Sequence, residues 1–165
     1  MENILEIRNL KKTFGDFTLD NISFSLPKGF ITGFIGPNGS GKTTTIKLIM
    51  NLLKKDSGEI RIFGLDPVRQ AKEIKNRIGF VYDESHFYEE LTVEEMKRII
   101  APVYDQWDEQ QFQSYAAKFD LPGNKKTKDL SRGMKVKFSL AIALSHHADL
   151  LIMDEPTAGL DPVVR

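Results

Sequence analysis

Gly36-Pro37-Asn38-Gly39-Ser40-Gly41-Lys42-Thr43 is the stretch on which the reading of this chain turns. It has the pattern G-x-x-x-x-G-K-[ST], and its flanks are those the pattern requires. A short apolar run, Phe30 to Ile35, precedes it, and a segment with helical periodicity follows. Glycines let the backbone turn amide N–H groups inward around a phosphate. A helix beginning near Gly41 adds unsatisfied donors and the positive end of its dipole. Lys42 brings a full charge to the β- and γ-phosphates. The Thr43 hydroxyl is a hard oxygen ligand suited to Mg²⁺, and Thr44 is an extra phosphate contact. The pattern predicts binding of a nucleoside triphosphate. Glycines at 36, 39 and 41 do not fit the dinucleotide G-x-G-x-x-G, which disfavours a hydride-transfer enzyme.

Working outward, Phe17, Leu19, Ile22, Phe24 and Leu26 fall mostly at alternating positions, the strand period. The run Phe30 to Ile35 reads as a strand buried on both faces, as in a parallel sheet. Ile46, Ile49, Met50 and Leu53 are spaced as on a helix over 41–53. Ile60 to Phe63 and Ile78 to Val81 read as short strands. From about Thr92 to His147 the pattern turns helical: Phe112, Tyr115, Ala116 and Phe119 form one stripe, and Val136, Leu140, Ala143 and Leu144 another. Pro122-Gly123-Asn124 breaks the two. Leu150 to Met153 returns to a buried strand ending in two acids. Asp154 suits holding Mg²⁺, directly or through water. Glu155, one residue past the strand, is placed to act as general base on the attacking water.

The 165 residues fit one domain with a real core, and the 41% apolar and 28% charged fractions are ordinary for a globular protein. Lysine plus arginine and aspartate plus glutamate number 23 each. Zero net charge gives no electrostatic reason to expect nucleic acid. There are no cysteines, so disulfides and thiolate metal sites are excluded and a reducing cytoplasm is expected. Acids near the N-terminus argue against a signal peptide, and no run reaches the roughly 18 apolar residues of a membrane span.

Two further stretches give the chain a family likeness. Leu130-Ser131-Arg132-Gly133-Met134 looks like the signature sequence of ATP-binding-cassette (ABC) transporters, and Ala158-Gly159-Leu160-Asp161 looks like that family's D-loop. They flank Asp154-Glu155 in the family's order. The chain thus resembles the nucleotide-binding domain of an ABC transporter over essentially its whole length, most of all the single-domain ATPase subunits of bacterial exporters. The resemblance implies an α/β P-loop NTPase core with a mainly parallel sheet, an antiparallel β-rich N-terminal part and an inserted helical subdomain. The implied division is one domain over 1–165, with the core in 1–91 and 148–165 and the helical subdomain in 92–147.

It also implies a cytoplasmic ATPase, peripheral on the inner face of the membrane, that uses ATP and Mg²⁺ and works with a membrane-spanning permease subunit. Two domains pack head to tail, homo- or heterodimeric. Each ATP lies between the phosphate loop of one and Ser131, Gly133 and Asp161 of the other. Phe14 matches the position whose ring stacks on adenine, usually a tyrosine. Asp83 stands where the family has a glutamine, as a candidate Mg²⁺ and catalytic residue, and 83–91, with His86, Phe87 and Tyr88, matches the contact to the permease. Ser131 also reads as a plain helix N-cap.

The family continues past the D-loop with a helix, more strands and a switch histidine. His86, His146 and His147 do not match that histidine, and the last two are expected near a helix C-terminus, where positive charge is favoured. The expectation is a C-terminally truncated fragment that binds nucleotide weakly, hydrolyses it poorly and self-associates. Two other functions fit the motifs: a cassette ATPase of DNA repair or translation, and a nucleotide-sensing module with little hydrolysis.

Overall fold

The structure is a computed structural model that describes residues 2–82 and 87–154. It divides into two compact units, Met1–Lys75 and Asn76–Arg165.

In the first unit, β1 (Asn3–Phe14) and β2 (Phe17–Pro27) form an antiparallel hairpin closed by Gly15 and Asp16, with Phe14 opposite Phe17. Strand β3 (Ser57–Ile62) pairs on the other side of β1, giving the order β2-β1-β3. Leu5 and Ile7 alternate along β1 onto one face, opposite Ile62 and Ile60. All four are buried, as the two-residue strand period requires. Helix α1 (Lys42–Ile49) follows the phosphate loop and buries Thr45, Leu48 and Ile49. It is shorter than the 41–53 span the periodicity suggests: Met50 already has φ −73 and ψ 0, and Leu52 is exposed. Helix α2 (Ala71–Asn76) ends the unit.

The run Phe30 to Ile35 corrects the sequence reading. It is not a strand, and Ile31 and Ile35 are 104% and 94% exposed rather than buried. A strand exists only when a neighbour satisfies its N–H and C=O groups. Among the described residues no strand pairs with this run. Phe34 anchors it by a ring contact, its centroid 5.7 Å from that of Phe24 on β2.

In the second unit, β4 (Ile78–Val81) and β5 (Leu150–Met153) pair in parallel, Ile78 opposite Leu150 and Val81 opposite Met153. An Arg77–Asp149 ion pair of 2.7 Å closes their N-terminal ends. Strand β5 forms where expected but is not fully buried. Leu150 to Ile152 are half-buried and Met153 is 45% exposed, because β4 is its single neighbour among the described residues.

Helix α3 (Val93–Ile100) opens with a reciprocal capping box between Thr92 and Glu95, and α4 (Glu109–Lys118) is capped by Asp108. Helix α5 (Arg132–Leu144) is apolar on two sides, which is why its single-stripe reading understates it. Phe138, Ala141 and Ile142 pack with Val93, Met96, Phe112 and Leu130. Val136 and Ala143 pack with Val81 of β4. Gly79 permits that close approach: a Cβ there would lie 2.8 Å from the Ala143 carbonyl oxygen. Burying rings such as Phe112 and Phe138 contributes roughly 2 kcal/mol each. Among the described residues no helix is long and apolar enough to cross a membrane.

Candidate functional site

The phosphate loop is built from a turn and a helix start. Residues 38 and 39 form a turn, closed by the Ser40 N–H donating to the Pro37 carbonyl at 3.2 Å. Gly39 and Gly41 have φ of 81° and 91°, which an L side chain rarely adopts. Gly41 is further constrained by space. A Cβ there would stand 2.9 Å from Leu19 Cδ1 and 3.0 Å from Phe17 Cζ. The hairpin of β1 and β2 therefore presses directly on the start of α1.

Gly41 is the N-cap of α1 and offers no side-chain oxygen to its first turn. Helices α3, α4 and α5 differ, each being capped by an accepting side chain, Thr92, Asp108 and Ser131. A helix start without a side-chain cap leaves its donors and its positive dipole end to an external anion.

Lys42 Nζ crosses the loop, donating to the carbonyls of Gly36 at 2.8 Å and Pro37 at 3.1 Å. This folds the loop's cation back over the carbonyls of Gly36 and Pro37. Thr43 is exposed in the first turn and Thr44 is half-buried. Thr45, unremarked in the sequence reading, is buried and donates both its N–H and its hydroxyl to the Gly41 carbonyl at 2.8 Å. It locks the helix start from beneath. Its signal was its apolar-facing position, three residues before Leu48.

Phe14 lies at the end of β1 and is 42% exposed. Its strand partner is Phe17, the residue whose ring meets Gly41. One aromatic pair thus links the hairpin end to the phosphate loop. The alternation of β2 could have revealed Phe17's role, since it places Phe17 and Leu19 on one face.

In the second unit, Ser131 accepts the Met134 N–H at 3.2 Å and is exposed, so its N-cap role is real. Gly133 is within the first turn of α5. The segment before Ser131 is held firmly: the buried Thr127 hydroxyl donates to the Tyr88 carbonyl at 2.7 Å, and Leu130 is buried in the helical core. Asp154 directly follows β5, its N–H donating to the Val81 carbonyl at 3.0 Å. Asp83, His86, Glu155 and Asp161 lie outside the described residues.

The two histidines after α5 part company. His147 is exposed and sits 3.4 Å from Asp108. His146 lies just past the C-terminal end of α5, as expected, but inside the protein. It is 1% exposed, stacked 3.8 Å on Tyr104, with Nδ1 and Nε2 each 3.1 Å from the carbonyls of Ile142 and Ile78. Burial pushes its pKa below the ordinary value, because desolvation penalises the charged ring more than two carbonyls reward it.

Among the described residues no cluster of histidine, aspartate or glutamate forms a self-contained metal cage. The Thr43 hydroxyl and the Asp154 carboxylate are hard oxygen donors. Each by itself is of the donor class Mg²⁺ takes, an ion that draws most of its ligands from phosphate and water.

Comparison with known proteins gives one answer. The profile of the ABC transporter family matches residues 19–158. The bacitracin transport ATP-binding protein BcrA of Bacillus licheniformis is 38% identical over 168 residues, covering 99% of this chain and 54% of that protein. This chain spans about half the length, or less, of the curated relatives it matches. The solved structure of an ATP-binding subunit of an ABC transporter superposes with a TM-score of 0.86 at 30% identity, covering 97% of this chain and 69% of that one. A dimeric ABC transporter cassette superposes with a TM-score of 0.79 at 26% identity, covering 95% of this chain and 76% of that one.

Proposed function

The chain belongs to the ABC transporter family, and from that premise we propose that it is the ATP-binding part of an exporter-type subunit that couples MgATP hydrolysis to movement in a separate membrane permease. The observation that carries this is the glycine-capped start of α1, with Lys42 lying across the loop. In this reading the amides of 36–43 and the Lys42 ammonium bind the phosphates. Thr43 and Asp154 hold Mg²⁺, which neutralises charge on the phosphate oxygens, and Asp83 contributes an oxygen to it. Phe14 stacks on the base. Glu155 takes the proton of the attacking water. Residues 1–91 and 148–165 act as the nucleotide-binding core, and 92–147 as the arm that presents Ser131.

A second cassette completes the site. Ser131, Gly133 and Asp161 of one copy meet the triphosphate held by the other, and the dimeric state of a similar cassette supports the pairing of two copies. Ser131 caps one first-turn amide of α5, and the remaining donors and the positive dipole end still favour an anion there. Binding then closes the pair and hydrolysis opens it, with the subunit on the inner face of the membrane and residues 83–91 against the permease. Similarity to a linearmycin resistance ATP-binding protein favours export as the direction.

Calorimetry tests the central claim. MgATP added to the full-length protein should release heat with micromolar affinity, and Lys42→Ala should abolish it. A full-length protein that gives no heat with MgATP refutes the reading.

A further inference from the structure

Lys12 and Phe14 are two residues apart on β1, so their side chains leave the same face. The Lys12 ammonium lies 5.1 Å from the centroid of the Phe14 ring, within the range of a cation–π contact. Lys12 does not wander there. Its Nζ donates to Asp56 Oδ1 at 2.8 Å, and its side chain is only 17% exposed. Asp56 in turn is bolted to β1 on both sides of Lys12. Its Oδ2 accepts the Thr13 N–H at 2.8 Å, and its own N–H donates to the Lys11 carbonyl at 2.9 Å. The hydrogen bond from Lys12, with that from Thr13, holds the Asp56 carboxyl below the usual carboxylate range, so it stays an anion at neutral pH.

From this arrangement we infer that Lys12, fixed by Asp56, is a positioning residue for the nucleobase: it covers one face of Phe14 and presents the other as an electron-poor stacking platform for a purine. The inference rests on the reading of Phe14 as the base-stacking ring and deepens it. Two physical effects act together. A cation on one face holds the ring in one orientation, which lowers the entropy lost when a base settles on it. It also draws π-density away from the opposite face, which favours an electron-rich purine over a smaller pyrimidine. Phe14 keeps 42% of its surface exposed, and its strand partner Phe17 touches Gly41, where the phosphate loop passes into α1. The platform therefore sits at the end of the hairpin that leads to the phosphates.

The test is calorimetric, on the full-length protein, with MgATP, MgCTP and magnesium tripolyphosphate as probes. Lys12→Met should weaken MgATP about two- to fivefold, narrow the preference for MgATP over MgCTP, and leave tripolyphosphate unchanged. Lys12→Arg, which keeps a cation over the ring, should restore both affinity and preference. Asp56→Asn should fall between, since it frees the ammonium without removing it. The inference is overturned if Lys12→Met binds MgATP like the parent. It is overturned equally if tripolyphosphate weakens in step, because Lys12 then serves the phosphates or the fold. Phe14→Ala separates the two layers: if it costs no MgATP affinity, the stacking reading itself is wrong, whatever Lys12 does.

Discussion

Phe17 and Gly41 meet where the hairpin of β1 and β2 touches the head of α1: a β-carbon added at Gly41 would lie 3.0 Å from the Phe17 ring and 2.9 Å from Leu19 Cδ1, so that the hairpin side chains would have to give way. The phosphate loop is thus shaped from two sides, by its own glycines and by an aromatic ring from a strand that binds no phosphate.

Gly41→Ala should lower stability by about 1–2 kcal/mol for the left-handed backbone alone, with an added cost from the Phe17 and Leu19 contacts. Gly64→Ala is the control, since Gly64 has φ +76 but open space around it. Urea denaturation of both should show the Gly41 variant clearly weaker, and MgATP affinity should fall at least about tenfold only there. Equal losses in the two variants would mean that the hairpin does not constrain the loop.

Ser131→Ala removes the side-chain cap of α5. It should cost about 1 kcal/mol of stability. If Ser131 also meets the triphosphate of a second cassette, Ser131→Asp should keep the stability that Ser131→Ala loses and yet weaken ATP-dependent dimerisation followed by light scattering. Aspartate caps a helix as well as serine does, but it repels an incoming anion.

His146 makes stability pH-dependent. Its folded pKa is depressed by burial below the ordinary value, so the unfolded chain binds the extra proton. Its contribution is fully present above the ordinary histidine range and is lost as pH falls through that range and below. Thermal melts from pH 8 to pH 5 should show falling Tm, and His146→Gln should flatten that fall. An unchanged slope in the variant would assign the acid sensitivity elsewhere.

Lys97→Met tests the ion network of the helical unit. Lys97 is 6% exposed and pairs with Glu94 at 3.0 Å and Glu109 at 2.7 Å. Loss of the ammonium should cost about 2 kcal/mol, below the range for a fully buried pair because Glu109 is half exposed. Burial pushes the Glu109 carboxyl up, but hydrogen bonds from Lys97, Gln113 and Trp107 outweigh that and bring it down to about 2. Its contribution is therefore present above the usual glutamate range and is lost as pH falls toward 2. Acid titration of the variant by circular dichroism should show unfolding at a higher pH than in the parent.

What was legible in the residues was local chemistry. The spacing of Gly36, Gly39, Gly41, Lys42 and Thr43 specifies a loop because positive φ and an uncapped helix start are properties of those residues themselves. The break at Pro122-Gly123, the strand Ile78 to Val81 and the N-cap role of Ser131 were readable for the same reason. What only the tertiary structure decided was anything that depends on a partner far along the chain. The apolar run Phe30 to Ile35 reads as a strand, yet a strand needs a neighbour to bond with, and its own composition cannot supply one. His146 reads as a residue near a helix C-terminus, which it is, but its burial is decided only when Tyr104, Ile142 and Ile78 close around it. Lys12, Phe14 and Asp56 become one unit only when β3 is brought alongside β1. Motifs encode which groups meet a ligand within a few residues of chain, whereas burial, pairing and charge balance arise from contacts between segments dozens of residues apart.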